Sequence, residues 1–293
     1  MTRRARVQKT LSYIFLCVSS FIMIYPVLYT ALSAFTTPDR FYASPFLPIP
    51  NTLNLDLIAR LLNRGVWDAY VFTLARCAFY VALALLTGVL GGYIFSKMRF
   101  PGKRKLFLLV LSGMVMPAIL MILPMFIMVA RWPLAGGNDL WGSGGHGLIG
   151  QWPVLFIFGW VPPFAIFLLK QSFDMLPTEY EEAARLDGAG LLTVIFRVYI
   201  PLLKPPIVVL ILITFFAVWN DYLWPSLTIT ASADFVPIAM RIGGISTRSA
   251  SGVSGAAPAA MMRALMALWP PALLFLLLQR YFVQGLAASG LKG

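Results

Sequence analysis

The sequence predicts an all-α integral membrane protein with six transmembrane helices and a cytoplasmic helix-turn-helix coupling loop. Composition, the recurrence of apolar stretches of spanning length and the placement of basic residues carry that expectation. Of 293 residues, 59% are apolar or aromatic and only 12% charged, with a mean hydropathy of +0.81. A soluble domain keeps roughly a quarter of its residues charged, so much of this surface does not meet water. The same figures exclude intrinsic disorder. The net charge of +12 comes from Lys and Arg separated by long uncharged stretches, which reads as membrane orientation and not as nucleic-acid binding. Two cysteines, Cys17 and Cys77, and one histidine, His146, make neither a disulfide framework nor a metal cluster, and no cofactor is expected.

The elements follow in chain order. No charge falls between Thr10 and Pro38, and Leu11 to Phe35 reads as the first span. Arg3, Arg4, Arg6 and Lys9 ahead of it resemble the start of a secretory signal, but the apolar run exceeds the 7–15 residues of such a segment. Apolar runs recur near 72–96, 106–130, 148–169, 205–227 and 264–279, and a bilayer core of about 30 Å needs roughly 20 helical residues. An inside N-terminus puts fifteen of the 23 basic residues in the cytoplasm, the densest group being Lys97, Arg99, Lys103, Arg104 and Lys105. Both termini are then cytoplasmic. The chain reads as one transmembrane domain, 1–293, with outer loops at 36–70, 131–147 and 228–260, a long inner connection at 170–204 and a cytoplasmic tail at 284–293.

The inner connection holds five of the eleven acids, so it is a structured, solvated element. Thr178 with Glu181 three residues on has the spacing of a capping box, and Gly188 is a natural helix stop. A second helix from about Leu191 is expected to end at Pro201, whose ring cannot continue it.

Glu182-Ala183-Ala184, then Gly188, then Val198-Tyr199-Ile200-Pro201 resembles the EAA signature of permease subunits in bacterial ATP-binding-cassette importers. Trp219-Asn220-Asp221-Tyr222-Leu223-Trp224-Pro225, Gly285-Leu286-Ala287-Ala288 and the ending Lys292-Gly293 are similar to carbohydrate permeases of the MalG type. Val198 and Ile200 stand where that signature usually has Ile and Leu. The overall pattern is most similar to permease subunits of the bacterial alginate importer. The resemblance implies an inner-membrane subunit importing an oligosaccharide, including acidic ones such as alginate. It implies a second permease, two ATPase subunits and a periplasmic or lipid-anchored solute-binding protein as partners, within membrane lipid.

It further implies that Glu182, Ala183, Ala184, Arg185, Asp187 and Gly188 couple to the ATPase. Ala183 and Ala184 leave a flat side for close approach, and the charged residues supply a polar rim. The chain is expected to be no enzyme. A phosphate-cradling loop needs GxxxxGK followed by Ser or Thr, and Gly102-Lys103 is followed by Arg104. ATP and Mg belong to the partner subunits.

Asp221 is the one acid inside a span and, with Trp219, Asn220 and Tyr222, marks a candidate substrate pathway; the alternative is an interfacial aromatic belt. Trp160 and Phe164 add aromatic faces suited to sugar rings. Gly88 and Gly92 form a GxxxG packing motif, while Pro117, Pro124, Pro162, Pro163, Pro270 and Pro271 interrupt helices. Gly243, Gly244 and Ser254 are candidate contacts with the solute-binding protein, and the tail from Gln284 is a candidate ATPase contact. Arg76 is assigned to the outer end of its span. Ser143 and His146 lack the nucleophile-elbow spacing of a hydrolase. The competing reading is an ion-coupled secondary transporter complete in one chain, which predicts intramembrane charges in paired halves.

Overall fold

The computed structural model describes residues 3–44, 46–50, 58, 66–157, 163–229, 235–242 and 256–290. The helices are α1 (Arg3–Ala34), α2 (Pro38–Ala43), α3 (Trp67–Lys97), α4 (Lys103–Val115), α5 (Ala118–Ala130), α6 (Val154–Ile157), α7 (Pro163–Asp174), α8 (Glu179–Leu186), α9 (Leu191–Leu202), α10 (Lys204–Trp219), α11 (Leu223–Thr228) and α12 (Ala256–Gly290). They divide into two compact units, one of Met1–Trp67 with Arg241–Trp269 and the other of Asp68–Met240 with Pro270–Gly293.

The first unit is built on α1, whose segment Gln8–Ala34 has a mean hydropathy of 2.0. Pro26 lies inside it, and the Thr30 hydroxyl donates to the Pro26 carbonyl at 2.8 Å. Beyond the helix, the Thr36 hydroxyl bonds to the carbonyls of Leu32 and Pro48, and the Tyr25 hydroxyl donates to the Phe46 carbonyl at 2.6 Å. Residues 46–50 are thereby folded back along the helix.

Four helices among the described residues are long and apolar enough to cross a membrane: Gln8–Ala34, Trp67–Lys97, Lys204–Thr228 and Ala257–Tyr281. A fifth span is available if α4 and α5 count as one, and here the expected straight span 106–130 is corrected to a pair bent by 95°. Pro117 is the cause: the residue before a proline is pushed out of the helical region, and Met116 has φ −76° and ψ 118°. The expected span 148–169 is also redrawn. Residues 148–153 form turns, with Gly147 and Gly150 at positive φ, α6 is one turn long, and α7 runs past residue 169 to Asp174. Residues 158–162, with Trp160 and Pro162, lie outside the described residues.

Two further boundaries move. α12 begins before residue 264, carries Pro270 and Pro271 within it and stays helical to Gly290, so the expected tail from Gln284 continues the helix as far as Gly290. Ala, Leu and Gln there are good helix formers. α9 ends at Leu202, one residue past Pro201, and its centre, Val194–Tyr199, is π-helical.

The core of the second unit packs Ala84, Val89 and Tyr93 of α3, Ala165, Leu169 and Phe173 of α7, Val194, Ile195 and Tyr199 of α9, and Leu210 of α10. The GxxxG motif does the expected packing work. A Cβ on Gly92 would stand 3.0 Å from backbone atoms of Leu169 and Lys170, and one on Gly88 would stand 3.2 Å from the Ala165 carbonyl oxygen. Helices α3 and α7 thus meet nearly backbone to backbone.

Candidate functional site

The segment expected to couple folds as α8, and its C-terminus is built as the sequence reads. Gly188 has φ +82°, the left-handed conformation that glycine adopts at no steric cost. Its N–H donates to the Arg185 carbonyl, and that of Ala189 donates to the Ala184 carbonyl at 2.9 Å. These are the two bonds of a Schellman motif, and Ala184 and Ala189 both pack against the core cluster. Ala184 therefore faces inward, which corrects the expectation that both alanines leave a flat docking side; Ala183 alone is exposed.

The N-terminal cap is corrected too. Thr178 makes no side-chain cap bond, its own backbone being helical at φ −74° and ψ −20° instead of extended, and Glu181 is engaged elsewhere. Its Oε1 accepts the Tyr93 hydroxyl at 2.7 Å and the Arg185 Nε and Nη2 groups at 3.0 and 2.8 Å. Its Oε2 accepts the Tyr199 hydroxyl at 3.1 Å. Partial burial pushes the Glu181 carboxyl pKa up, but hydrogen bonds from Tyr93, Arg185 and Tyr199, with the Arg185 charge, outweigh it and hold the group below its ordinary value. Burial first, and then Glu181, raises the Tyr199 phenol. The rings of Tyr93, Phe173 and Tyr199 meet one another at centroid distances of 5.3–6.0 Å. Lys97 Nζ donates to the Leu176 carbonyl at 2.6 Å, and Ser96 Oγ to Asp174 Oδ1 at 2.6 Å. Helix α8 is thus tied through Glu181 to α3 and α9, and the segment ahead of it is tied to the end of α3.

Outward, Glu182, Arg185 and Asp187 are exposed, and Arg185 is held by Glu181. Large apolar groups lie bare beside them: Leu186 is 89% exposed and Met175 82%, and Tyr180, Leu192 and Phe196 are exposed as well. An exposed apolar patch rimmed by charges is the composition of a protein-binding surface.

The second site lies at the break between α10 and α11. Asp221 Oδ2 accepts a 2.6 Å bond from Arg76 Nη2, with the arginine side chain 1% and the aspartate 18% exposed. Arg76 Nε and the Tyr80 hydroxyl both donate to the Leu155 carbonyl at 3.0 Å, and Trp224 Nε1 donates to the Val154 carbonyl. Asp221 Oδ1 takes the Trp224 N–H at 3.3 Å. Arg76 is thus buried, not placed at a wet outer end, and Asp221 is neither an unpaired ligand group nor a mere interfacial one. Their pair joins α3, the α6 turn and the broken helix. Among the described residues, Arg76 Nη1 has no hydrogen-bond partner.

Asn220 and Tyr222 are exposed, with Asn220 Nδ2 donating to the Phe216 carbonyl. Trp219 is buried and stacked on Phe215 at 5.5 Å, so it packs the helix behind the site and does not line an open path. Gly243, Gly244 and Ser254 lie outside the described residues. Sequence reasoning missed Arg76, Tyr93, Glu181 and Tyr199 as site residues. Arg76 had left a signal as the single charge between residues 72 and 96; a charge within a span is a functional candidate by default.

Comparison with known proteins adds to this geometry. The profile of the family described as binding-protein-dependent transport system inner membrane component matches residues 84–288. The maltodextrin transport system permease protein MdxG of Bacillus subtilis (strain 168) is 31% identical over 289 residues, covering 97% of this chain and 96% of MdxG. The sn-glycerol-3-phosphate transport system permease protein UgpE of Yersinia pestis bv. Antiqua (strain Antiqua) is 28% identical over 285 residues, covering 94% of this chain and 95% of UgpE. In fold, the chain is similar to one in the crystal structure of a bacterial ABC transporter involved in the import of the acidic polysaccharide alginate. The TM-score there is 0.76 at 22% identity, covering 96% of this chain and 99% of the other.

Proposed function

Since this chain belongs to the family of binding-protein-dependent transport system inner membrane components, we propose that it forms half of the pathway of an ATP-driven oligosaccharide importer, with both termini in the cytoplasm. A second permease completes the pathway, two ATPase subunits dock below, and a solute-binding protein delivers substrate from above. ATP and Mg act on the ATPase subunits, and this chain supplies no catalytic group. Helix α8 is the docking element, with Glu182, Ala183, Arg185 and Asp187 meeting the ATPase alongside Leu186, and Gly188 closing the helix.

The observation that carries this reading is the mounting of α8. Its outer side presents charged and bare apolar groups, while Glu181 bonds inward to tyrosines of α3 and α9. A push on the outer side therefore reaches the spanning helix α3 without first bending a loop. ATP-driven closure of the ATPase pair would move α8 and rock the bundle from inward-facing to outward-facing.

Membership of a binding-protein-dependent family speaks against a self-sufficient ion-coupled carrier. The substrate we propose is an oligosaccharide, with uronate oligomers of the alginate type as the acidic candidate and Asn220, Asp221 and Tyr222 beside its path.

Single cysteines at Glu182 and Leu186, in the chain co-expressed with its partners, should cross-link to the ATPase. Neither forming a cross-link in an assembled complex would overturn the contact. Uptake of labelled oligouronates against maltodextrins, compared in reconstituted vesicles, decides the substrate; uptake of maltodextrin alone would reject the acidic one.

A further inference from the structure

At the Lys-rich ends of α3, α4 and α7 lies a cleft of about 330 Å³, lined by Phe95, Ser96, Lys103, Arg104, Phe107, Lys170 and Asp174. That volume is at the lower end of small-molecule sites, which run from roughly 300 to 1,000 Å³. We propose that it binds the phosphodiester headgroup of an anionic phospholipid from the leaflet around the Lys97–Lys105 turn.

Charge is the first ground. The cleft holds three cations and one carboxylate, and both oxygens of that carboxylate are occupied: Asp174 Oδ1 accepts the Ser96 hydroxyl and Oδ2 accepts Lys170 Nζ, each at 2.6 Å. Lys170 also sits over the Phe107 ring at 5.1 Å. Lys103 Nζ is held by the carbonyls of Ser96 and Met98, both at 2.9 Å, which are neutral acceptors, and the Asp174 charge that acts on it is shared with Lys170. Arg104 is exposed and makes no hydrogen bond or ion pair among the described residues. Its planar fork suits two phosphate oxygens at once. The cleft keeps a surplus of positive charge, with one guanidinium free to close on an anion.

The second ground separates a lipid from free phosphate. Arg104, Leu108 and Val115 recur at helical spacing along α4, and Leu108 and Val115 are both bare. Leu109 beside them is bare as well. An apolar stripe leading away from a cationic cleft at the end of a spanning segment fits an acyl chain attached to the bound phosphate. Inorganic phosphate would leave that stripe uncovered.

The site draws on the membrane placement of the chain and not on its sugar or its ATPase contact, so it stands or falls separately from the proposed transport reaction. The full chain, purified in a neutral detergent, is titrated with dioleoyl phosphatidylglycerol or dioleoyl phosphatidylcholine, and retained lipid is read by native mass spectrometry. Phosphatidylglycerol should be retained preferentially. Arg104→Gln and Lys103→Gln should each lower its affinity about fivefold, the effect of one basic residue at an anionic surface, while Arg104→Lys keeps most of it. Melting temperatures of the variants identify any loss due to misfolding. In that case, competition on the wild-type chain by millimolar inorganic phosphate decides the matter. Equal retention of both lipids, unchanged retention in the glutamine variants, or displacement of phosphatidylglycerol by phosphate alone would each overturn the proposal.

Discussion

Two carboxylates held by arginines, Glu181 and Asp221, sit in different surroundings and do different work. Glu181 pairs with Arg185 four residues along the same helix, and that arginine side chain is 54% exposed. Such a pair contributes about 0–1 kcal/mol. The strength of the Glu181 site comes instead from two buried tyrosines whose hydroxyls have the carboxylate as acceptor. Asp221 pairs with Arg76 across 145 residues of sequence, in an arginine environment almost without water. There the charges themselves dominate, because a lone buried guanidinium has no solvent to fall back on. The first site is a polar mount with an exposed arginine, and the second is a clamp around a buried one.

The largest expected effect breaks the clamp. Asp221→Ala leaves Arg76 buried and charged without its partner, which costs about 3–5 kcal/mol and should appear as a large fall in melting temperature in detergent. Replacing both residues with leucine should recover most of that loss, since a buried pair is often no better than apolar groups of similar volume. Uptake by the double variant then sharpens the comparison. Recovered stability with lost uptake places Asp221 on the substrate path, whereas recovery of both makes the pair purely structural. A loss below about 1 kcal/mol for Asp221→Ala would show that the clamp does not hold.

The mount should give way less. Glu181→Ala strands two tyrosine hydroxyls at a part-buried site, each in the lower half of the about 1–3 kcal/mol that an unmade buried bond costs, so a loss of roughly 2–4 kcal/mol is expected, and Glu181→Gln, which keeps an acceptor, should lose less. The pH dependence has a definite sign. The folded pKa of Glu181 lies below its ordinary value, so the unfolded chain takes up this proton first on acidification. The contribution is therefore complete above the ordinary glutamate value of about 4.3 and is lost as pH falls through the lower folded value. Thermal unfolding between pH 7 and pH 3.5 should steepen at the acid end in the wild type and less so in Glu181→Gln. Parallel curves would remove Glu181 from the account.

What the sequence made legible was local. Gly188 with the run before it announced a helix and its stop, Gly88 and Gly92 announced close packing, and four of the six apolar runs announced helices of spanning length. All of these depend on spacing within one element. What stayed hidden depends on which elements meet. Glu181 looked like a capping residue because Thr178 lies three positions before it, and only the approach of Tyr93 and Tyr199 shows why its carboxylate turns inward. Arg76 and Asp221 were each visible as charges among apolar residues, but their pairing spans 145 positions. The bend at Pro117 was readable as an interruption, but its 95° size was not, because the position of a proline in the sequence does not set the angle between the helices that flank it.

The smallest effect separates backbone strain from crowding at the end of α8. Around Gly188 an added Cβ would meet nothing within 4 Å, yet φ is +82°. Substitution there therefore costs conformational energy alone, roughly 1–2 kcal/mol for an ordinary L-residue. Side-chain volume should not set the order of the variants. Asparagine tolerates the left-handed region through its local hydrogen bonds, so Gly188→Asn should keep more stability than Gly188→Ala despite being larger, and the β-branched Gly188→Val should be the worst of the three. Strain at this position loosens the Schellman bonds that seat Ala184 and Ala189 against the core, so α8, the proposed docking element, loses its fixed angle while the spanning helices remain. Substrate-stimulated ATP hydrolysis by the assembled complex should accordingly fall in the order asparagine, alanine, valine, with membrane insertion unchanged. An order that follows size, or normal hydrolysis in Gly188→Val, would mean that the left-handed turn is not what fixes the helix.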